Sequence, residues 1–146
     1  MATLERAIEI AAKAHSGQVD KAGEPYILHP IQVMLRVTGE EQRVVAILHD
    51  VLEDSDVSVE DLRIEGFSEP VLEALIALTK RDDETRIEAA WRARDNDIAR
   101  EVKLADNKEN MRLDRIPEPT EKDFERMKEY EEVREVLLGP KDTRFV

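Results

Sequence analysis

The placement of helix breakers most constrains what this chain can fold into. Only five glycines and six prolines occur in 146 residues, and they fall between segments of helical period. Thr3 can cap a first helix whose apolar stripe runs Leu4, Ala7, Ile8, Ala11 and Ala12, with Gly17 ending it. Pro30 suits the first turn of a second helix reaching about residue 37. After Gly39, a third helix over about 40–52 carries Val44, Val45, Ile47, Leu48, Val51 and Leu52. So little of its surface is polar that it reads as the central, buried helix. Ser58 to Asp61 has the form of a capping box, opening a short helix that stops by Gly66. Helical patterns follow over 71–79, 85–94 and 97–112, and Pro117 and Pro119 make a stiff break. Thr120 caps a last helix with the stripe Phe124, Met127, Tyr130, Val133 and Leu137, closed by Gly139-Pro140. With no strand-like alternation and no repeat, the expectation is an all-α bundle of seven or eight helices, one domain over 1–146.

Charge narrows the function. Lys+Arg number 22 against 34 Asp+Glu, a formal net charge of -12, which argues against a surface that grips DNA, RNA or an anionic membrane. At 41% hydrophobic residues the chain can still bury a core. Without cysteine, disulfides and thiolate metal sites are excluded, leaving His, Asp and Glu as strong ligands. The N-terminal segment lacks the basic-then-apolar order of a signal peptide, and no apolar run approaches the ~20 residues of a membrane span. A soluble, cytoplasmic protein is expected.

Most acids belong on helix exteriors, but three polar residues do not fit there. His49 and Asp50 interrupt the apolar run from Val44 to Leu52, and Asp106 continues the stripe of Ile98 and Val102. A buried, unpaired carboxylate costs several kcal/mol, so it calls for a cation, a proton or a set of donors. A metal held by His and Asp is the economical answer, and such an oxygen-rich set suits Mn²⁺, Fe²⁺, Zn²⁺ or Mg²⁺. Glu53 and Asp54 lie four residues after His49 and Asp50, on the same side of the helix end, and Asn110 lies four after Asp106. The helix dipole disfavours acids at a helix C-terminus, a penalty that a nearby cation would reverse. His29, before Pro30, occupies a helix entrance.

The order of these residues resembles the RelA/SpoT-type HD-domain hydrolases. The resemblance rests on Ala14-His15-Ser16-Gly17-Gln18, Lys21-Ala22-Gly23-Glu24-Pro25-Tyr26-Ile27-Leu28-His29-Pro30 and Ala46-Ile47-Leu48-His49-Asp50-Val51-Leu52-Glu53-Asp54-Ser55. It continues with Leu78-Thr79-Lys80, Val102-Lys103-Leu104-Ala105-Asp106 and Asn110-Met111. The stretch after Ile116 is similar to that of small stand-alone bacterial members. The resemblance implies an all-α HD domain that hydrolyses the 3′-pyrophosphate of ppGpp and pppGpp to GDP or GTP and pyrophosphate, typically with Mn²⁺. It implies His29, His49, Asp50 and Asp106 as metal ligands and Glu53 and Asp54 as the pair that orients and activates water. Lys21, Tyr26 and Asn110 would contact the nucleotide. A chain of this length leaves no room for a synthetase half, so degradation rather than synthesis is expected.

Two segments depart from the larger relatives. Asp20 stands where they usually have an Arg that helps hold guanine, and Asn107-Lys108-Glu109-Asn110 stands where they often read Arg-Leu-His-Asn. Neither removes a ligand. The alternatives are an HD phosphohydrolase of another nucleotide or phosphorylated metabolite, and a nucleotide-binding regulatory module with little turnover. Elsewhere, His15 reads as a packed structural histidine, and Trp91 and Tyr130 as core anchors. Lys13, Lys21, Lys103, Lys108 and Arg112 are candidate phosphate contacts.

Overall fold

The computed structural model describes residues 2–112, 116 and 118–139; Pro117 and Pro140 of the expected breaks lie outside the described residues. Among the described residues the fold is all-α. Its nine helical segments are α1 (Leu4–Ala14), α2 (Leu28–Leu35), α3 (Glu40–Leu48), α4 (Val51–Asp54), α5 (Val59–Glu65), α6 (Glu69–Leu78), α7 (Arg86–Arg94), α8 (Asp97–Asn110) and α9 (Glu121–Leu138). Among the described residues, no helix is long and apolar enough to cross a membrane.

α3 is central, as its composition requires. Val44, Val45, Ala46, Ile47 and Leu48 are all buried, and the helix packs against α1, α2, α6 and α8. Burying each of Ile47 and Leu48 contributes roughly 1.5–3 kcal/mol. A smaller cluster, Ala90, Val133 and Leu137, joins α7 to α9. The starts of the helices carry the caps the sequence announces. Ser58 accepts the Asp61 N–H while Asp61 reaches back to the Ser58 N–H, and Thr85 pairs likewise with Glu88. Gly66 closes α5 in the left-handed conformation that a side chain would strain.

Three expectations need correction. The helix expected over 40–52 is two helices, broken at His49-Asp50. The His49 Nδ1–H donates to the Ala46 carbonyl at 2.5 Å, the acceptor that an uninterrupted helix would offer to the Asp50 N–H. A side chain competing for a helix carbonyl is a sufficient cause for the break. Second, α2 begins at Leu28, so His29 sits inside its first turn rather than ahead of it. Third, Phe124 does not join the buried stripe of α9: it is 52% exposed, and Asp123 takes the inward position.

Arg92 ties the α6–α7 turn together. Its guanidinium donates to the carbonyls of Ile76, Ala77 and Thr79, satisfying the orphan end of α6, and forks onto both oxygens of Glu84 at 2.7 and 2.9 Å. The hydrogen bonds from Arg92 hold the Glu84 carboxyl down to about 2. Because the folded-state pKa is depressed, this stabilisation is complete above the unfolded value of 4.5 and is lost as pH falls towards 2. Arg92→Ala removes a donor from three carbonyls and takes the counter-charge from a carboxylate, so a loss of about 2–4 kcal/mol is expected. Thermal unfolding should register this as a fall of roughly 5–15 °C, and Arg92→Lys, which cannot fork, should recover little of it.

Candidate active site

Four side chains from three places in the chain meet at the centre of the bundle. His29 comes from α2, His49 and Asp50 from the α3–α4 break, and Asp106 from α8. His29, His49 and Asp106 are buried. His29, His49 and Asp50 each offer a ligand atom, all within 4.8 Å of one another. Asp106 joins them: its Oδ1 lies 2.8 Å from His29 Nε2 and 3.3 Å from His49 Nε2, and His49 Nε2 lies 3.2 Å from Asp50 Oδ2. The break at His49-Asp50 matters here. By giving its Nδ1 proton to Ala46, His49 presents Nε2 to the cluster, the orientation that a metal-binding imidazole needs.

The surroundings hold the carboxylates in place. The Tyr26 hydroxyl donates to Asp50 Oδ2 at 2.5 Å. Burial and the Asp50 charge push the Tyr26 phenol far above its ordinary range, so it stays a neutral donor. Lys103 Nζ donates to Asp106 Oδ2 at 3.1 Å and Asn110 Nδ2 to Oδ1 at 3.3 Å. The Asp106 charge raises the Lys103 pKa, keeping the ammonium protonated. Burial opposes charge on Asp50, yet the His49 charge and hydrogen bond prevail and hold its carboxyl down to about 2. Burial likewise opposes charge on His49, but Asp50 and Asp106 together raise its pKa well above the ordinary value. Two carboxylates that raise the pKa of a buried imidazole mark a spot that favours positive charge. Two imidazoles and two carboxylates at this spacing fit a divalent cation.

The cluster floors a cavity of about 250 Å³ also lined by Glu53, Lys80, Arg86 and Lys103. A second cavity, about 320 Å³, abuts it and shares Tyr26, His29, Asn110 and Tyr130; Asp20, Lys21, Asp123 and Arg126 complete its wall. Together they form one cleft with the polar cluster at its base. Glu53 lies exposed at the mouth, where its Oε1 accepts the Lys80 N–H at 2.8 Å. Partial burial pushes its carboxyl up, the Lys80 N–H opposes this, and Asp50 adds to it.

Asp54 differs from its neighbour. One residue further along α4 and so turned roughly 100° from Glu53, Asp54 lines a separate cavity with Arg6, Lys13 and Asp61 on the α1–α5 side. Burial and then the Asp50 charge push its carboxyl up. Gln18 secures this edge: its Nε2 donates to the carbonyls of Ala14 and Asp54, and its Oε1 lies 2.9 Å from Nδ1 of the buried His15. His15 is therefore the packed structural histidine its stripe implies.

Of the candidate phosphate contacts, Lys21 and Lys103 line the cleft. Lys13 lines the α1–α5 cavity, Arg112 pairs with the buried Glu109, and Lys108 is exposed. Tyr130 is no simple core anchor: it lines both halves of the cleft, with the Arg86 guanidinium 5.9 Å from its ring centroid. Trp91 is half-buried, with the Arg94 guanidinium 4.4 Å from its ring. Lys80 has a signal only as the end of the segment Leu78-Thr79-Lys80, and Arg86 and Arg126 none beyond charge, since helical period cannot say which exterior face a distant segment will cover. Asp20 Oδ1 accepts the N–H groups of Ala22 and Glu24 and locks its own loop.

Residues 7–146 match the HD domain family. The chain belongs to that family. Among HD-domain relatives it is 40% identical over 81 residues to the guanosine-3′,5′-bis(diphosphate) 3′-pyrophosphohydrolase of Aquifex aeolicus, covering 53% of this chain and 12% of that one. It is 33% identical over 148 residues to the GTP pyrophosphokinase of Streptomyces coelicolor, covering 92% of this chain and 16% of that one. It is 35% identical over 83 residues to the bifunctional (p)ppGpp synthase/hydrolase SpoT of Escherichia coli K12, covering 54% and 12%. The chain thus spans at most 16% of the length of these three relatives. A solved structure, of a metazoan ortholog of SpoT described as hydrolysing ppGpp, superposes with a TM-score of 0.83 at 26% identity, covering 98% of this chain and 89% of that one.

Proposed function

We infer that this HD domain, taken as one unit over residues 1–146, is a metal-dependent hydrolase that removes the 3′-pyrophosphate of ppGpp and pppGpp in the cytoplasm. The observation that carries the reading is the convergence of His29, His49, Asp50 and Asp106 beneath a cleft that also holds Glu53. The names of the relatives and of the superposed structure supply the substrate.

His29, His49, Asp50 and Asp106 would hold the cation, with Mn²⁺ the preferred ion. Bound there, a divalent ion supplies Lewis acidity and a water of lowered pKa. The remaining work falls to the chain. Tyr26, Lys103 and Asn110 orient the carboxylates of Asp50 and Asp106 through the hydrogen bonds described above. Glu53 accepts a proton from the attacking water, and Asp54, which lines the separate α1–α5 cavity, acts only through its charge near Asp50. Water attacks the phosphorus bound to the ribose 3′-oxygen, and that P–O bond breaks. The water oxygen leaves in pyrophosphate, and the 3′-oxygen, protonated, stays on GDP or GTP. Lys80, Arg86 and Lys103 supply positive charge around the transferred group, while Lys21, Tyr26 and Asn110 face the nucleotide.

Mn²⁺-loaded protein incubated with ppGpp and a panel of other nucleotides, with products resolved by ion exchange, should release GDP and pyrophosphate from ppGpp. A chelator should abolish that release, and added Mn²⁺ should restore it. Turnover confined to other nucleotides would sink the substrate assignment, and turnover that survives chelation would sink the metal.

A further inference from the structure

The first turn of α9 brings a carboxylate to the cleft that neither the polar cluster nor Glu53 uses. Asp123 is 8% exposed, and its two oxygens have different partners. Oδ2 accepts the N–H and the hydroxyl of Thr120 at 2.8 and 3.1 Å, which fixes the carboxylate on the helix start. Oδ1 accepts from Lys21 Nζ at 3.1 Å, a contact between residues 102 apart in sequence. Thr120 and then Lys21 hold the Asp123 carboxyl below the ordinary carboxylate range, so it stays an acceptor. Lys21 and Asp123 both line the 320 Å³ cavity.

Lys21 rides on a loop whose backbone is already ordered. Asp20 Oδ1 grips the Ala22 and Glu24 N–H groups, and the Tyr26 N–H donates to the Gln18 carbonyl at 2.9 Å. What that loop does not order is the Lys21 side chain, which is 62% exposed on a flexible four-carbon stem. Asp20, beside it, has its Oδ1 committed to the loop. Asp123 is the acceptor that restrains the ammonium.

The geometry points to Asp123 as a positioning residue that holds Lys21 Nζ at the cleft wall, poised to donate to a phosphate oxygen of the nucleotide. An ammonium has three donors, and the contact with Asp123 engages one, leaving two for phosphate. Fixing the stem before the ligand arrives removes part of the ordering cost from binding. The inference rests on the reading of the cleft as a nucleotide polyphosphate site.

Steady-state kinetics on ppGpp with Asp123→Asn, Lys21→Ala, the double variant and Thr120→Val test it. Asp123→Asn should raise KM about 5–10-fold with kcat within about twofold, because only the side-chain ordering is lost. Lys21→Ala should raise KM at least as much, and the double variant should match Lys21→Ala. Thr120→Val, which keeps the backbone N–H but removes the hydroxyl from Asp123 Oδ2, should lower Tm and raise KM by less than Asp123→Asn. An unchanged KM in Asp123→Asn, additive effects in the double variant, or an equal KM rise in Thr120→Val overturns the inference. An unchanged KM in Lys21→Ala overturns it too, while leaving the hydrolase reading intact. If the unaltered protein turns over no ppGpp, the hydrolase reading fails by itself, and equilibrium dialysis of ppGpp against the same variants takes over. Weaker binding in Asp123→Asn that disappears in the Lys21→Ala background then supports the inference. Equal binding, or no ppGpp binding by the unaltered protein, overturns it.

Discussion

Asp106→Ala is expected to cut kcat for ppGpp hydrolysis at least about a thousandfold, ~4 kcal/mol of transition-state stabilisation, and to abolish tight divalent-metal binding. Asp106 sits at the centre of the cluster: Oδ1 faces His29, His49 and Asn110, while Oδ2 faces Lys103. Its removal takes away one of two carboxylates that favour positive charge there. It also leaves the partly buried Lys103 ammonium without its hydrogen-bonded counter-charge, so the attraction of the cluster for a cation is much weakened. Loss of the Lys103 pair can also cost stability, so the isosteric Asp106→Asn belongs beside it. Asn keeps an oxygen for its neighbours but lacks the charge, and it should lose metal while still unfolding cooperatively. Elemental analysis after dialysis, thermal unfolding and product assay together check this. Turnover within tenfold of the parent in both variants would refute the ligand assignment.

Glu53→Gln should lower kcat by roughly 10²–10⁴-fold, the range for losing a general base, with KM changed little. Glu53 is at the cleft mouth, anchored by the Lys80 N–H, and a glutamine oxygen can accept that same bond, so the loop stays in place. Only proton acceptance is lost. The pH profile carries a second check. Burial first, with Asp50 adding, raises the Glu53 pKa above 4.5. A base works deprotonated, so activity should fall as pH drops through this raised value, placing the acidic limb above the ordinary glutamate range. The residual activity of Glu53→Gln should lack that limb. A limb that persists unchanged in Glu53→Gln would assign it to another group.

Much of the fold is legible in residue pattern because local physics decides it. Ser58, Thr85 and Gly66 mark helix ends through hydrogen bonds and dihedral limits that act within a few residues. The apolar run from Val44 to Leu48 can only be buried, so it forecasts the central helix. Where the sequence misleads, a side chain competes with the backbone. His49 looks like one more turn of helix, and only its bond to Ala46 shows that the helix breaks there. Glu53 and Asp54 follow that break together in α4, where consecutive side chains point roughly 100° apart, and they open on two different cavities.

By itself the sequence determined an acidic, cysteine-free, all-helical chain with His and Asp at positions where apolar stripes run. That much follows because burial and helical period are short-range rules that read directly from residue order. Tertiary structure alone decided which groups meet. Asp106 reaches His29 across 77 residues and Lys21 reaches Asp123 across 102, and the face of α9 turned to the cleft brings Arg126 and Tyr130 with it. Helical period assigns each residue to a face but not the neighbour that face will meet. That depends on how the helices pack around α3.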